Sequence, residues 1–197
     1  MTPVILAFDT SAAHCAAALL SGDDIIVARQ DNMAKGQAER LFVLLKEVLA
    51  EGGVNWSDLD AIGVGVGPGN FTGIRISVAA ARGLSLSLGV PAVGVSTLEA
   101  QAIDVPRPVW SLIDARRDMI YAQRLGTDGA PTLMSGPGAA ALSPSVGPDS
   151  NVPVAPAIAR IAAARLAQGH DIPRPAPLYI RAADAAPPRD PAPVILP

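Results

Sequence analysis

The chain has 197 residues, half of them hydrophobic, so it is long enough to bury the core of one domain or of two small ones. Its formal net charge is −3 and its basic residues are scattered, which argues against this chain gripping an RNA backbone by itself. We expect neither a signal peptide nor a membrane span, because the N-terminal apolar run lacks a basic region before it and the longest apolar stretch is interrupted. The single cysteine, Cys15, cannot form an internal disulfide, so we expect a small core residue in a reducing cytoplasm.

The N-terminal segment predicts three strands. Val4 to Phe8 is an apolar run that ends at Asp9. Two more extended runs, Cys15 to Leu20 and Ile25 to Arg29, are separated by four turn-forming residues. The pattern therefore predicts a hairpin that follows a first strand.

The next segment, Gln37 to Glu51, predicts a helix that ends at a pair of glycines. Apolar residues at helical spacing form one stripe on it: Leu41, Leu44, Leu45, Val48 and Leu49. Phe42 lies at the edge of this stripe, about 100° from Leu41. The stripe is therefore wider than contact with one sheet requires.

A glycine-rich loop follows an apolar strand pattern over 62–66, in which apolar residues alternate with Gly63 and Gly65. That alternation indicates a strand whose glycine face is closely approached by another backbone. The loop 67–71 leads into a predicted helix from about Thr72 to Leu88, and Ala92 to Val95 resumes an extended pattern. Strand, helix and strand in this order predict a crossover between two parallel strands.

The start of this helix offers backbone N–H groups that can hold an anion, with Gly67, Gly69, Thr72 and Arg75 as the candidate nucleotide-binding residues. The P-loop lysine is absent, however, because Thr72, Gly73 and Ile74 stand where Gly-Lys-Ser/Thr is required. No complete dinucleotide-binding glycine frame is present either. We therefore favour a tight turn that lets the helix pack on the sheet, with Gly67 and Gly69 at positive φ, and we predict no cofactor.

The second half of the chain begins after Pro106 and Pro108. Before it, Ser96 is predicted to cap a short helix with Glu99 completing a capping box. Two strands, Val109 to Ile113 and Met119 to Arg124, flank a turn whose paired arginines are compatible with anion binding, although a solvated hairpin turn is favoured.

The rest of the second half gives weaker signals. Residues 126–156 are rich in Gly, Pro, Ala and Ser and predict little, whereas Ala157 to Gln168 predicts an alanine-rich helix. The predicted organisation is a domain over 1–105, a smaller half over 106–184, and a proline-rich tail over 185–197 that is extended or disordered.

Four segments, in this order, resemble one protein family: Ile5–Ser11, Gly67–Ile76, Val93–Ala100 and Pro177–Arg181. They are similar to TsaB, also named YeaZ, the non-catalytic dimerisation subunit of the bacterial machinery that makes tRNA threonylcarbamoyladenosine. The resemblance implies an α/β fold of the actin-like, ribonuclease-H-like (ASKHA) type with a mixed sheet.

The resemblance also implies a function. A TsaB subunit is a scaffold or activator that binds the catalytic subunit TsaD and works with the ATPase TsaE in the cytoplasm. The complex transfers a threonylcarbamoyl group to the adenosine at position 37, next to the anticodon, in tRNAs that read codons beginning with A. Contact with tRNA would then be indirect, and a homodimer is possible.

No metal and no catalytic residue are predicted. In the catalytic relatives, the helix equivalent to Gln37–Glu51 carries two metal-binding histidines, whereas this chain has Gly36-Gln37-Ala38-Glu39-Arg40 there. His14 and His170 are the only histidines of the sequence. The alternative is an actin-like-fold enzyme, either a small-molecule kinase or a glycopeptidase-like protease. Asp9 would then bind phosphate or metal, but no glycine turn follows it, so we favour a turn-capping role.

The two long helices together predict a protein-binding face. The second helix is apolar or small nearly all round, and one sheet covers only one side of such a helix. The predicted interface consists of Leu41, Phe42, Leu45, Ile76, Ala79, Ala80 and Gly83. This face would serve self-association or TsaD binding in competition, unless the second half of the chain folds back over it.

Overall fold

The computed structural model describes residues 2–148, 150–169 and 172–181. The predicted proline-rich tail over 185–197 and His170 lie outside these residues. The first part contains β1 (Val4–Asp9), β2 (His14–Ser21), β3 (Asp24–Asn32), α1 (Gln37–Glu51), β4 (Ala61–Gly65), α2 (Phe71–Leu88), β5 (Ala92–Val95) and α3 (Thr97–Gln101). The second part contains β6 (Val109–Asp114), β7 (Met119–Leu125), β8 (Thr132–Ser135), α4 (Gly136–Ala140), β9 (Ser145–Val146) and α5 (Val154–Ala167).

The first sheet has the strand order β3-β2-β1-β4-β5. The predicted hairpin is confirmed, because β2 pairs antiparallel with both β1 and β3. The predicted crossover is also confirmed, because β4 and β5 are parallel and α2 connects them. This is the mixed α/β sheet that the sequence predicts.

Helices cover both faces of this sheet, so the residues of β1 are buried in alternation on the two sides. Leu6 and Phe8 pack with the apolar stripe of α1 in one cluster. Ile5 and Ala7 pack with α5 in another cluster on the opposite face. The central strand therefore has no solvent-facing side.

Helix α5 belongs to the second half of the sequence but packs against β1, β2 and β4 of the first sheet. Its alanines and Ile158 come close to β4, where a Cβ at Gly63 would lie 3.1 Å from Ile158 Cγ2. Close approach to the glycine face is thus confirmed, but side chains rather than a backbone make it. The boundary at residue 105 remains a prediction.

The second sheet has the order β8-β7-β6-β9, and the predicted strands β6 and β7 form its centre. The structure adds β8, α4 and β9 within 126–156, where the sequence analysis predicts no element. Helix α5 begins at Val154, three residues before the predicted start. Pro156 is tolerated there because the first turn of a helix has no intrahelical partner for its N–H groups.

No helix among the described residues combines the length and the apolar character needed to cross a membrane.

Candidate functional site

The glycine loop is seated on the end of β1. The amide of Asn70 donates to the carbonyl of Ser11 at 2.6 Å, and the hydroxyl of Thr10 donates to the carbonyl of Gly73 at 2.7 Å. A Cβ at Gly69 would collide with the Ser11 carbonyl, and one at Gly73 with the Thr10 carbonyl. These two glycines are required by the close approach of two backbones.

The predicted positive φ is confirmed for one of the two loop glycines and wrong for the other. Gly67 has a φ of 90°, in the left-handed region that favours glycine. Gly69 is not among the glycines at positive φ, so the predicted reason for a glycine at that position is wrong. Its reason is the Ser11 backbone described above.

The helix start that the sequence offers to an anion is closed by the chain itself. The side-chain oxygen of Asn70 accepts from the amides of Thr72 and Gly73 at 3.0 and 3.1 Å. The amide of Ile74 donates to the carbonyl of Asn70. Because these donors are already used, the geometry favours the turn over a phosphate cradle at Gly67, Gly69 and Thr72.

Asp9 is fully buried at the end of β1 and caps the turn that follows. Its carboxylate accepts from the amide of Ser11 at 3.0 Å and from the hydroxyl of Ser11 at 2.6 Å. The carboxylate also fills the space over Gly65, where a Cβ would lie 2.6 Å from Oδ2. His14 Nε2 lies 3.5 Å from Oδ1 and has no hydrogen-bond partner among the described residues.

Arg75, the fourth candidate, joins two aromatic rings in what we term the aromatic cluster, formed by Phe71, Arg75 and Tyr179. The two rings are stacked with their centroids 4.8 Å apart. The guanidinium carbon lies 3.8 Å from the Phe71 centroid, and Nε donates to the Tyr179 hydroxyl at 2.8 Å. Both rings are still about two-fifths exposed, 37% for Phe71 and 43% for Tyr179.

A cleft of about 1260 Å³ opens beside this cluster, between the first sheet and the second sheet. Ser11, His14 and Asn70 line one wall, and Asp114, Arg116 and Tyr121 line the other. Residues 178–181 also line the cleft. This cleft is not predictable from local sequence patterns, because its walls come from segments that are far apart in the chain.

The predicted interface residues divide into two groups. Phe42, Ala79 and Gly83 are exposed, and Ile76 and Ala80 are half-buried. Leu41 and Leu45 are 1% and 0% exposed, because the α1 stripe turns them into the core against the sheet. These two leucines are inaccessible in the folded chain and are withdrawn from the interface.

Two further apolar side chains extend the exposed part of this surface. Val43 on α1 is 50% exposed and Leu86 on α2 is 84% exposed. We define the helix face as Phe42, Val43, Ala79, Gly83 and Leu86. Among the described residues of the second half, Pro175 and Tyr179 contact α2: Arg82 Nε donates to the Pro175 carbonyl and Arg75 Nε to the Tyr179 hydroxyl, both at 2.8 Å.

Cys15 is a core residue, as predicted, and is fully buried. Burial, with a smaller effect from the charge of Asp31, raises the pKa of its thiol to about 11. Among the described residues, no group of three His, Cys, Asp or Glu side chains could hold a metal ion.

Similarity to known proteins identifies the family of this chain. The model of the family TsaD, tRNA N6-adenosine threonylcarbamoyltransferase, matches residues 30–184, which is more than half of the chain. The chain belongs to this family. No curated protein matches it.

Two solved structures from Pseudomonas aeruginosa narrow the relationship to the TsaB branch. One is the crystal structure of an uncharacterized protein with similarity to peptidase YEAZ; it is 27% identical, covers 91% of this chain and 100% of its own, and has a TM-score of 0.75. The other is YeaZ, which is 27% identical, covers 85% of this chain and 93% of its own, and has a TM-score of 0.70. The predicted TsaB resemblance and the α/β fold class with a mixed sheet are confirmed.

Proposed function

We propose that this TsaB-family chain is a non-catalytic subunit that binds TsaD. In that complex it supports, with TsaE, threonylcarbamoyl transfer to the adenosine at position 37 of tRNAs that read codons beginning with A. The helix face carries the proposal, because it is an apolar surface that the described part of the chain leaves uncovered.

The composition of the helix face suits contact between helices. Phe42 and Leu86 supply large apolar side chains that are 44% and 84% exposed. Ala79 and Gly83 lie one helical turn apart on α2, and a Cβ at Gly83 would meet no atom within 4 Å. Small residues at that spacing let a partner helix approach closely, so α1 and α2 can pack against a helix pair of another subunit.

Two local arrangements support a non-catalytic role. Asp9, the residue that an actin-like kinase would use, is buried and its carboxylate is bonded to Ser11. Helix α1 begins at Gln37 and has no histidine in its first turns, where the catalytic relatives carry their metal ligands. TsaD would therefore perform the reaction, and this chain would bind TsaD and keep it in an active state, in the cytoplasm.

The same helix face is proposed to serve a homodimer. Self-association and TsaD binding would then compete, since both bury Phe42 and Ala79. A chain at high concentration would be dimeric, and added TsaD would convert the dimer to the heterodimer.

A matched pair of substitutions tests the surface. Ala79→Glu places a charge on the helix face, whereas Ala164→Glu places the same charge on an exposed alanine of α5, on the other side of the sheet. Light scattering should show self-association lost only in Ala79→Glu. Calorimetry should show TsaD binding weakened about 100-fold or more in that variant, because an unpaired buried charge costs several kcal/mol. Unchanged self-association and unchanged TsaD affinity in a folded Ala79→Glu variant would eliminate the helix face.

A further inference from the structure

The aromatic cluster is an exposed and pre-ordered stacking surface. Phe71 and Tyr179 keep 37% and 43% of their area in solvent, although two stacked rings could pack into a core. The Arg75 guanidinium holds both rings through its contact with Phe71 and its bond to the Tyr179 hydroxyl. A planar ligand that stacks there would therefore lose little side-chain entropy.

The segment that carries Tyr179 is fixed to the first sheet. The amide of Leu178 donates to the carbonyl of Val66 at 2.8 Å, and Arg82 holds the Pro175 carbonyl. Tyr179, which directly follows Leu178, therefore has a defined position in the cleft lining, and Arg181 lines the cleft two residues further on.

The opposite wall presents Arg116 from a strained turn. Arg116, Arg117 and Asp118 have φ values of 61°, 55° and 56°, a left-handed run that non-glycine residues rarely adopt. The Asp114 carboxylate accepts from the Arg116 amide at 2.9 Å and so stabilises the turn. Such strain persists where the surrounding structure enforces it, and it is often found at ligand sites.

The charges that line the cleft favour an anion. Among the described lining residues the cations are Arg29, Arg116 and Arg181, and the only carboxylate is that of Asp114. Arg29 is paired with Glu51, but no described carboxylate forms an ion pair with the side chain of Arg116 or of Arg181. Two guanidiniums in the cleft lining are thus available to phosphate groups.

The size of the cleft favours a ligand larger than a single small molecule. Pockets for small ligands have volumes of roughly 300–1,000 Å³. This cleft encloses about 1260 Å³ and is open at its mouth. Aromatic side chains beside arginines along an open groove are the arrangement by which proteins bind unpaired nucleic-acid strands.

We propose that the cleft binds a short unpaired RNA segment, with one base stacked on the aromatic cluster and phosphates at Arg116 and Arg181. This inference rests on the proposed function, which supplies an RNA partner, and it adds a direct RNA contact where the sequence predicted only an indirect one. The overall negative charge is no obstacle, because the fold gathers these arginines at one place.

The stacking part is tested with a fluorescent single-stranded oligoribonucleotide of about eight nucleotides and the full chain, by fluorescence anisotropy at low salt. Tyr179→Ala should weaken binding about 5- to 150-fold, the range that loss of one base–aromatic stack gives. Tyr179→Phe keeps the ring and should bind within about twofold of the unmodified chain. Equal binding by Tyr179→Ala would overturn the stacking role.

The phosphate part is tested by the salt dependence of binding. Replacing both Arg116 and Arg181 with Ala should reduce the slope of log K against log salt by about 1.4, since each lost phosphate contact on a single strand contributes about 0.7. Arg160→Ala removes the same charge from an exposed position on α5 and should leave the slope unchanged. A double variant with an unchanged slope would contradict the assignment of the two arginines.

Two further measurements separate this inference from the proposed function. A base-paired hairpin RNA of the same composition should bind at least tenfold more weakly than the single strand, and AMP should not displace the strand at comparable concentration. Calorimetry with TsaD should give the same affinity for Tyr179→Ala as for the unmodified chain. A chain that binds TsaD but neither RNA form, or that prefers AMP, would overturn the RNA inference while the proposed function stands.

Discussion

Two glycines in the same helix should respond in opposite directions to the same substitution. In α2, a Cβ at Gly73 would collide with the carbonyl oxygen of Thr10, whereas a Cβ at Gly83 would meet nothing within 4 Å. Gly73→Ala therefore forces the helix start away from β1 and strains or breaks the buried bond from the Thr10 hydroxyl to the Gly73 carbonyl. In the monomer, at concentrations below self-association, Gly83→Ala only replaces a poor helix former with a good one.

The magnitudes follow from these contacts. Overpacking costs about 1–3 kcal/mol and a lost buried hydrogen bond about 1 kcal/mol, offset by about 1 kcal/mol of helix propensity. We expect Gly73→Ala to lower the free energy of unfolding by about 1–3 kcal/mol and Gly83→Ala to raise it by about 0.5–1 kcal/mol. Thermal unfolding followed by circular dichroism would show Tm shifts of about 2–4 °C per kcal/mol, down for the first variant and up for the second.

The comparison is decisive because Gly73→Ala and Gly83→Ala are the same substitution in the same helix, measured by the same method. If Gly73→Ala were as stable as Gly83→Ala, the start of α2 would not be seated on the Thr10 carbonyl. The structural account of the glycine loop would then be wrong.

Three further outcomes are expected from other contacts. The raised pKa of Cys15 keeps its thiol protonated at pH 8, so the native chain should react with a disulfide reagent at least tenfold more slowly than the unfolded chain. An exposed thiol ionises near pH 9 and the buried one near pH 11, so the free energy of unfolding, measured by chemical denaturation at each pH, should fall as the pH rises between these values. Asn70→Ala removes the helix cap from two amides and should lower the free energy of unfolding in urea by about 0.5–2 kcal/mol, whereas Asn70→Asp should retain most of the stability. Equal stability of the unmodified chain and both variants would contradict the capping role of Asn70. Arg165 donates to both the Gly94 carbonyl and the Glu99 carboxylate, so Arg165→Ala should lower the free energy of unfolding in urea by about 1 kcal/mol. Arg165→Lys should not restore this stability, because a lysine lacks the two donor nitrogens of a guanidinium, and full recovery by lysine would contradict the two-bond arrangement.

Local signals were sufficient to predict much of the first part of the fold. The leucine spacing gave α1 from Gln37 to Glu51, and the Ser96–Glu99 capping box is present as predicted. The order of strand, helix and strand gave the parallel pair β4 and β5. Each of these features depends on residues that are close in sequence, so a single chain carries the signal.

Features made by distant segments could not be predicted. The reason for Gly69 is the backbone of Ser11, 58 positions away, and the aromatic cluster joins residues up to 108 positions apart. The spacing of Leu41 and Leu45 showed a stripe but not how much of it the sheet would cover. Residues 126–156 have no regular apolar period, so β8 and β9 depend on their pairing with β7 and β6, and α4 on its packing against β7 and β8.

The central claim is that this chain supports transfer without performing it, and a reconstituted transfer assay tests that claim most directly. Threonylcarbamoyl incorporation into tRNA would be measured with this chain alone, with TsaD and TsaE alone, and with all three. The account predicts no incorporation by this chain alone, and more incorporation by the three-component mixture than by TsaD and TsaE without the chain. The Ala79→Glu chain should give no such increase, whereas the Ala164→Glu chain should give the full increase. Incorporation by this chain alone that disappears on Asp9→Ala would contradict the account.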